Sequence, residues 1–265
     1  MCTVMLRREP GGRWPLLLAA VRDEFADRAW DPPAPHWPDD APGLVGGRDR
    51  LAGGTWLAVR GGGTPAVAAV LNGSFMNRLD RSEPGAPSAV RPSRGRLPLR
   101  ALLSGVPGDD ELREYEVVHL VVADADGAQL ISWDGREVTR LEIPDGDHIV
   151  TNEGLDVADD PLVPHFGPLL ATAAGPAEAG LAVAGGGSGA GTTTASWWGD
   201  WTDLMRGDGL AGDDPRALLV RHEIPDGRVF ASTSATLLAL GREPGQLRMD
   251  FTATPSSPDW RAVTL

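Results

Sequence analysis

Lysine is absent from this chain: all 24 basic residues are arginine, against 37 acidic ones, for a net charge of −13. The missing lysine reads as a genomic composition bias toward Arg, Ala, Gly and Pro and carries no mechanism. The acidic balance argues against non-specific nucleic-acid binding, which requires clustered cationic charge. It equally disfavours docking on an anionic membrane surface. Cysteine occurs once, so an intramolecular disulfide and any multi-cysteine metal site are excluded. Nowhere is there a run of about 18 apolar residues, so no membrane-spanning helix is expected and the reading is no membrane insertion. The first apolar stretch, Trp14 to Val21, is short and lacks a small-residue cleavage pattern, so no signal peptide is read and a reducing cytoplasm, bacterial by composition, is the expected location.

Familiar ligand motifs are missing too. The clusters Gly46-Gly47-Arg48-Asp49 and Gly53-Gly54-Thr55-Trp56 have neither dinucleotide nor phosphate-loop spacing, and Gly185 to Gly191 lacks the Lys-Ser/Thr of a phosphate loop. The five histidines, at 36, 119, 148, 165 and 222, form no i, i+4 pair, so no zinc site and no other cofactor is expected. His119 and His222 read as packed or surface residues of strands. Ser188 and Ser234 lack the context of a nucleophile elbow.

What is present is mostly strand. Thr3 to Leu6 and Pro15 to Val21 flank the turn cluster Glu9-Pro10-Gly11-Gly12 and predict a hairpin, its second strand apolar enough to be buried on both faces. Residues 31 to 54, rich in Pro, Gly and Asp, read as an ordered loop. Strands follow at 55–59 and 66–71, then a long excursion at 80–98 and a short helix from Leu97 to Ser104. Further strands are read at 116–124, 129–133, 136–143 and 148–152, with Asp134-Gly135 a strong hairpin signal. Helices are expected at 161–174 and 196–206, a flexible stretch at 185–191, and strands at 217–224, 228–240 and 246–252. The fold class is α+β with mostly antiparallel sheets, and 1–265 reads as a single domain.

The lone cysteine is Cys2, directly after the initiator methionine. Removal of Met1 would leave a thiol and a free α-amino group on one residue. That amine titrates near pH ~7.7–8.0, so a neutral fraction exists at pH 7 to accept the thiol proton. This is the logic of an N-terminal nucleophile. On the cysteine alone, a chance residue at a frayed end is an equal alternative. The predicted hairpin would set Cys2 near Arg22-Asp23-Glu24. An arginine there can lower a thiol pKa or hold a carboxylate, and an aspartate can bond an α-ammonium group. A solvated strand end is the plainer reading of that triplet. Asn72 and Asn152 close two predicted strands; an amide N–H can stabilise an oxyanion, and asparagine is also common in turns.

Several fragments together resemble the NRDE family, the transport-and-Golgi-organisation group. They are Met1-Cys2-Thr3, Ala19-Ala20-Val21-Arg22-Asp23-Glu24, Gly47-Arg48-Asp49, Gly53-Gly54-Thr55-Trp56-Leu57-Ala58 and Ser93-Arg94-Gly95. Thr151-Asn152 with Leu155-Asp156, and the strand at 232–238, complete the set. The family is similar to the N-terminal-nucleophile (Ntn) hydrolases of the penicillin V acylase and bile-salt hydrolase type. The resemblance implies a four-layer αββα sandwich of two mostly antiparallel sheets. It implies that Cys2 attacks with its own amine as base, that Arg22 and Asp23 support it, that Asn152 matches the oxyanion asparagine, and that Asn72 is a second polar contact. Two positions depart: the family's name-giving Asn is Val21 here, and a late Gly-Thr-Arg is replaced by Ala231-Ser232-Thr233.

The expected function is therefore hydrolysis of a non-peptide amide C–N bond in a small-molecule substrate. The alternative is a carrier of haem or a hydrophobic or acyl ligand on the same fold, for which the nine tryptophans are the thin support. A partner-binding module, using the Pro/Arg-rich segment 84–100, is the third reading. Oligomeric state is not legible.

Overall fold

The structure, a computed structural model, describes residues 2–73, 91–176 and 193–265. Two antiparallel sheets are built from these residues. The first is nucleated by the hairpin of β1 (Thr3–Arg8) and β2 (Leu16–Phe25), in which Thr3 pairs with Val21 and Leu6 with Leu18. The second is a meander: β3 (Trp30–Ala34), β4 (Leu44–Asp49), β5 (Leu57–Arg60), β6 (Ala66–Asn72), β7 (Val118–Asp124), β8 (Ala128–Trp133) and β9 (Val138–Glu142), each pairing with the next. The chain then returns to the first sheet. There β10 (Gly146–Thr151) and β11 (Gly154–Leu155) lie on one side of β1. On the other side, β12 (Arg221–Glu223) and β14 (Leu247–Thr252) pair with β13 (Val229–Leu240), and β15 (Arg261–Ala262) closes the edge. β13 itself pairs with β2 from Phe230–Phe25 to Leu240–Leu16.

Strand alternation assigns each side chain to a layer. Val4, Leu6, Leu18 and Ala20 of the first sheet meet Leu57, Val67, Leu71 and Val121 of the second, forming the core between the sheets. Met5, Ala19, Val21 and Leu237 point outward and are covered by α3 (Leu162–Thr172), α4 (Thr194–Trp198) and α5 (Asp200–Leu204). On the far side, α1 (Leu97–Ser104) and α2 (Asp109–Arg113) cover Ala58, Ala68, Leu120 and Ile131. The result is the expected αββα sandwich. β1, flanked on both sides and buried along its six residues, is central to it.

Two expectations need correction. Residues 31–54 are not a loop; they contain β3 and β4. β3 is an edge strand whose register breaks between Asp31 and Ala34, where Pro32 and Pro33 have no N–H to give. The glycines of β4 are there for close approach: a Cβ on Gly46 would lie 2.5 Å from the Leu57 carbonyl oxygen. The helix expected at 196–206 is two short ones, because Gly199 adopts φ 55° between them. The stretch 185–191 lies outside the described residues, as does most of the 80–98 excursion. No helix among the described residues is long and apolar enough to cross a membrane.

Candidate active site

Continuing the β1 registers, by one residue against β2 and by two against β10, sets Cys2 opposite Arg22 and opposite Asn152, just past β10. By alternation the side chains of Cys2, Arg22 and Asn152 share the interior face with Val4, Ala20 and Val150. The Cys2 backbone nitrogen donates to Asn152 Oδ1 at 2.9 Å. Asn152 Nδ2 donates across to the backbone carbonyl of Asn72, tying the two sheets together at this end. Cys2 Sγ lies 3.9 Å from the Asp23 carbonyl oxygen and the residue is half-buried. Burial pushes the thiol pKa up, Asp23 adds to the rise, and the Arg22 charge opposes it.

Arg22 is buried and held on every side. Its Nη1 donates to Thr233 Oγ1 at 2.9 Å, and its guanidinium stacks on the Trp56 indole at 4.5 Å. Its Nη2 lies 3.7 Å from Glu24 and 3.8 Å from Asp49. Burial lowers the Arg22 pKa while Glu24, Cys2 and Asp49 oppose the loss of charge. Trp56 in turn needs Gly47: a Cβ there would sit 2.2 Å from the indole ring. Thr233 is the extra residue of a β-bulge between Ser232 and Ser234, and its hydroxyl also donates to the Arg22 carbonyl at 3.2 Å.

Asp23 points the other way, to the helix-covered face. Its Oδ1 accepts from Ser232 Oγ at 2.6 Å, and Ser232 Oγ accepts from Val220 N at 2.9 Å. Burial pushes the Asp23 carboxyl up to about 6, against the lowering effect of Ser232 and Arg22. Val21 lies on this same outer face within the apolar cluster, so the departure at that position leaves the face carrying Cys2 untouched. Asn72 contributes its backbone carbonyl; its own side chain is exposed. All five residues singled out in the sequence therefore meet at one end of the sandwich, Asp23 from behind and Asn72 through its main chain.

Further participants are Asp49, Trp56, Ser232 and Thr233, which lie in fragments that carry or depart from the family resemblance but have no site role assigned by the sequence, and His119, which reads there as a packed or surface residue. His119 Nδ1 is 2.7 Å from Ser132 Oγ and its Nε2 is 3.1 Å from the Asn152 carbonyl oxygen. Burial lowers its pKa, with the Asn152 bond and Glu153 opposing. One signal does mark it: His119 occupies an interior position in the alternation with Val121 and Ala123, where a polar residue is unusual. Among the described residues, no group of three or more His, Cys, Asp or Glu is placed to hold a metal ion.

The fragments scattered along the sequence thus converge here. Gly47 and Trp56 frame Arg22, Gly54 packs against Gly95, and Thr55 N donates to the Gly95 carbonyl at 2.8 Å. The family model for Transport and Golgi organisation 2 matches residues 1–162. The chain belongs to that family. No curated protein matches it. The matched range covers β1 to β11 and so contains Cys2, Arg22, Asp23, Asn72 and Asn152, while Ser232 and Thr233 lie beyond it.

Proposed function

We propose that this chain is a cysteine amidohydrolase of the Ntn type, cleaving a non-peptide amide C–N bond in a small-molecule substrate. The contact that carries the reading is Cys2 N to Asn152 Oδ1 at 2.9 Å, with the thiol and Arg22 on the same interior face. Removal of Met1 would convert that nitrogen into an α-amine already oriented by a carbonyl oxygen. The amine takes the thiol proton as Sγ attacks the substrate carbonyl, then passes it to the leaving nitrogen as the C–N bond breaks. Water, deprotonated by the same amine, hydrolyses the thioester to a carboxylic acid and restores the thiol. One Asn152 Nδ2 proton is committed to the Asn72 carbonyl; the other is the donor offered to the oxyanion. Arg22 offsets part of the desolvation that disfavours the thiolate.

The same reading takes residues 1–265 as one domain, supported by β13 pairing with β2 along its length. The carrier alternative has no specific observation in its favour. His119, which touches Asn152, has both ring nitrogens hydrogen-bonded and so offers no free ligand to a haem iron.

Two measurements test the proposal on the full chain. Intact mass should show a protein lacking Met1, and iodoacetamide should modify Cys2, with Cys2→Ala abolishing both labelling and amide turnover. Retained Met1, or a Cys2 inert to alkylation in the native protein, defeats the reading.

A further inference from the structure

Sheet edges carry unpaired N–H and C=O groups, and folds normally protect them. Among the described residues, most edges of this sandwich are protected. β11 and β15 are two residues long, and β12 is three. β3 carries Pro32 and Pro33, breaks register between Asp31 and Ala34, and ties Asp31 to Arg48 and Arg50. β9 differs. It ends the second sheet, has no proline, and keeps an unbroken five-residue register with β8, from Val138–Trp133 to Glu142–Gln129. Thr139, Arg140, Leu141 and Glu142 are all exposed. Leu141, at 49 %, is one of four large apolar side chains so placed among the described residues.

The bonds at its two ends fix which way the β9 backbone faces. Ile143 N donates to the Ala128 carbonyl at 2.8 Å and Asp134 N to the Glu137 carbonyl at 3.4 Å, so the odd-numbered residues from 137 to 143 bond to β8. The N–H and C=O groups of Val138, Arg140 and Glu142 therefore point away from the sheet. Pro144 has no N–H and ends the available ladder. Side chains alternate in step: Arg140 and Glu142 share the helix-covered face with Ile131, and Leu141 shares the other with Leu130. Arg140 Nη2 donates to the Pro107 carbonyl at 2.9 Å and to Asp109 Oδ1 at 2.7 Å, which fixes the guanidinium beside the edge.

We propose that β9 pairs antiparallel with β9 of a second copy of this chain, joining two second sheets into one across a two-fold axis at Leu141. Such a ladder bonds outward-facing residues only to outward-facing residues, which leaves a small choice of registers. Centring on Arg140 sets arginine against arginine, and centring on Glu142 sets glutamate against glutamate, both unfavourable. Centring on Thr139 leaves Arg140 facing Val138 and Leu141 facing Glu137. Centring on Leu141 sets Arg140 of each copy opposite Glu142 of the other and brings the two Leu141 side chains together. Charge and apolar surface thus select the same register. The contact closes on itself as a pair and leaves no second β9 edge to propagate. A ladder this short buries less than the roughly 800 Å² per partner of a standard interface, so the dimer is expected to be reversible.

Sedimentation velocity of the full chain tests it, and should show a monomer–dimer equilibrium between about 1 μM and about 1 mM. Arg140→Glu and Glu142→Arg each set like charges opposite one another at both symmetry-related positions and should each weaken self-association at least about tenfold. Mixed in equal amounts, these two variants present one edge with two carboxylates and one with two guanidiniums. They should form a heterodimer within about threefold of the parent's affinity, which a variant that had merely lost its fold could not do. Glu142→Pro removes an outward N–H while leaving every bond to β8, and should abolish the dimer with the circular dichroism spectrum unchanged. A chain that stays monomeric up to about 1 mM overturns the proposal and leaves the edge to an extended segment of another protein. A mixture that fails to pair overturns the register, and a dimer indifferent to Glu142→Pro means that the copies meet elsewhere.

Discussion

Replacing Asp23 with asparagine separates the electrostatic cost of the site from its geometry. Asp23 is 7 % exposed and its carboxyl rises from the ordinary 3.8 to about 6, chiefly because burial disfavours the charged form. The folded chain therefore binds this proton more tightly than the unfolded one. Its contribution favours folding below about pH 4 and is withdrawn as pH climbs through about 6. At about 1.4 kcal/mol per pH decade the withdrawal amounts to about 3 kcal/mol. The substituted amide would keep an oxygen for the Ser232 hydroxyl and carry no charge to desolvate. Any fixed packing cost of the substitution is the same at every pH, and the other carboxylates titrate alike in both proteins. Urea unfolding of both forms from about pH 4 to about pH 8 should thus give a stability difference, variant minus parent, that grows by about 3 kcal/mol, most steeply between about pH 4 and 6. A difference that is flat or shrinks with pH refutes the argument, because it would mean that Asp23 is ionised in the fold without penalty.

Other outcomes follow from the same geometry. Gly47→Ala drives a methyl into the Trp56 ring at 2.2 Å and should cost about 1–3 kcal/mol in chemical denaturation, with a change in tryptophan fluorescence as the indole leaves Arg22. Arg22→Gln removes the cation opposing desolvation of the thiol, so the pH midpoint of Cys2 alkylation should move upward; an unmoved midpoint would show that the charge does not reach the sulfur. Asn152→Ala takes away both the acceptor for Cys2 N and the bond to the Asn72 carbonyl, and a loss of about 1–3 kcal/mol with slower substrate turnover is expected in thermal and kinetic assays. Asp250, fully buried, accepts from Trp198 Nε1 at 2.8 Å, Thr194 Oγ1 at 2.7 Å and Arg248 Nε at 2.6 Å. Asp250→Ala leaves that arginine uncompensated against Trp197 and should destabilise by about 3–5 kcal/mol without altering the alkylation midpoint of Cys2.

Much of this architecture is legible in the residues because strands declare themselves by period and turn chemistry. The apolar run of β2, the Asp134-Gly135 turn and the limits of α1 are read directly. β3 and β4 are hidden because their Pro and Gly residues carry local loop signals whose cause is tertiary: an edge position for Pro32 and Pro33, and contact with the Leu57 carbonyl and the Trp56 ring for Gly46 and Gly47. At the site, Cys2 stands out by rarity, and Arg22 and Asp23 by their place at a strand end. Their partners do not, since Thr233, Ser232 and Trp56 become meaningful only when β13 and β5 are folded against β2. The sequence suggests chemistry for Asn152 through its N–H groups, yet its carbonyl oxygen is what meets Cys2, a distinction no single sequence position encodes.

The bulge at Ser232–Ser234 makes chain length, more than side-chain identity, the guardian of this corner. Deleting one residue there would let β13 zip against β2 as an unbroken ladder, and the sheet would gain regularity. The guanidinium of Arg22 would be left with an aromatic ring and two distant carboxylates, and no hydroxyl to fix its rotation. Variants selected only for thermal robustness should therefore tend to lose this kink first.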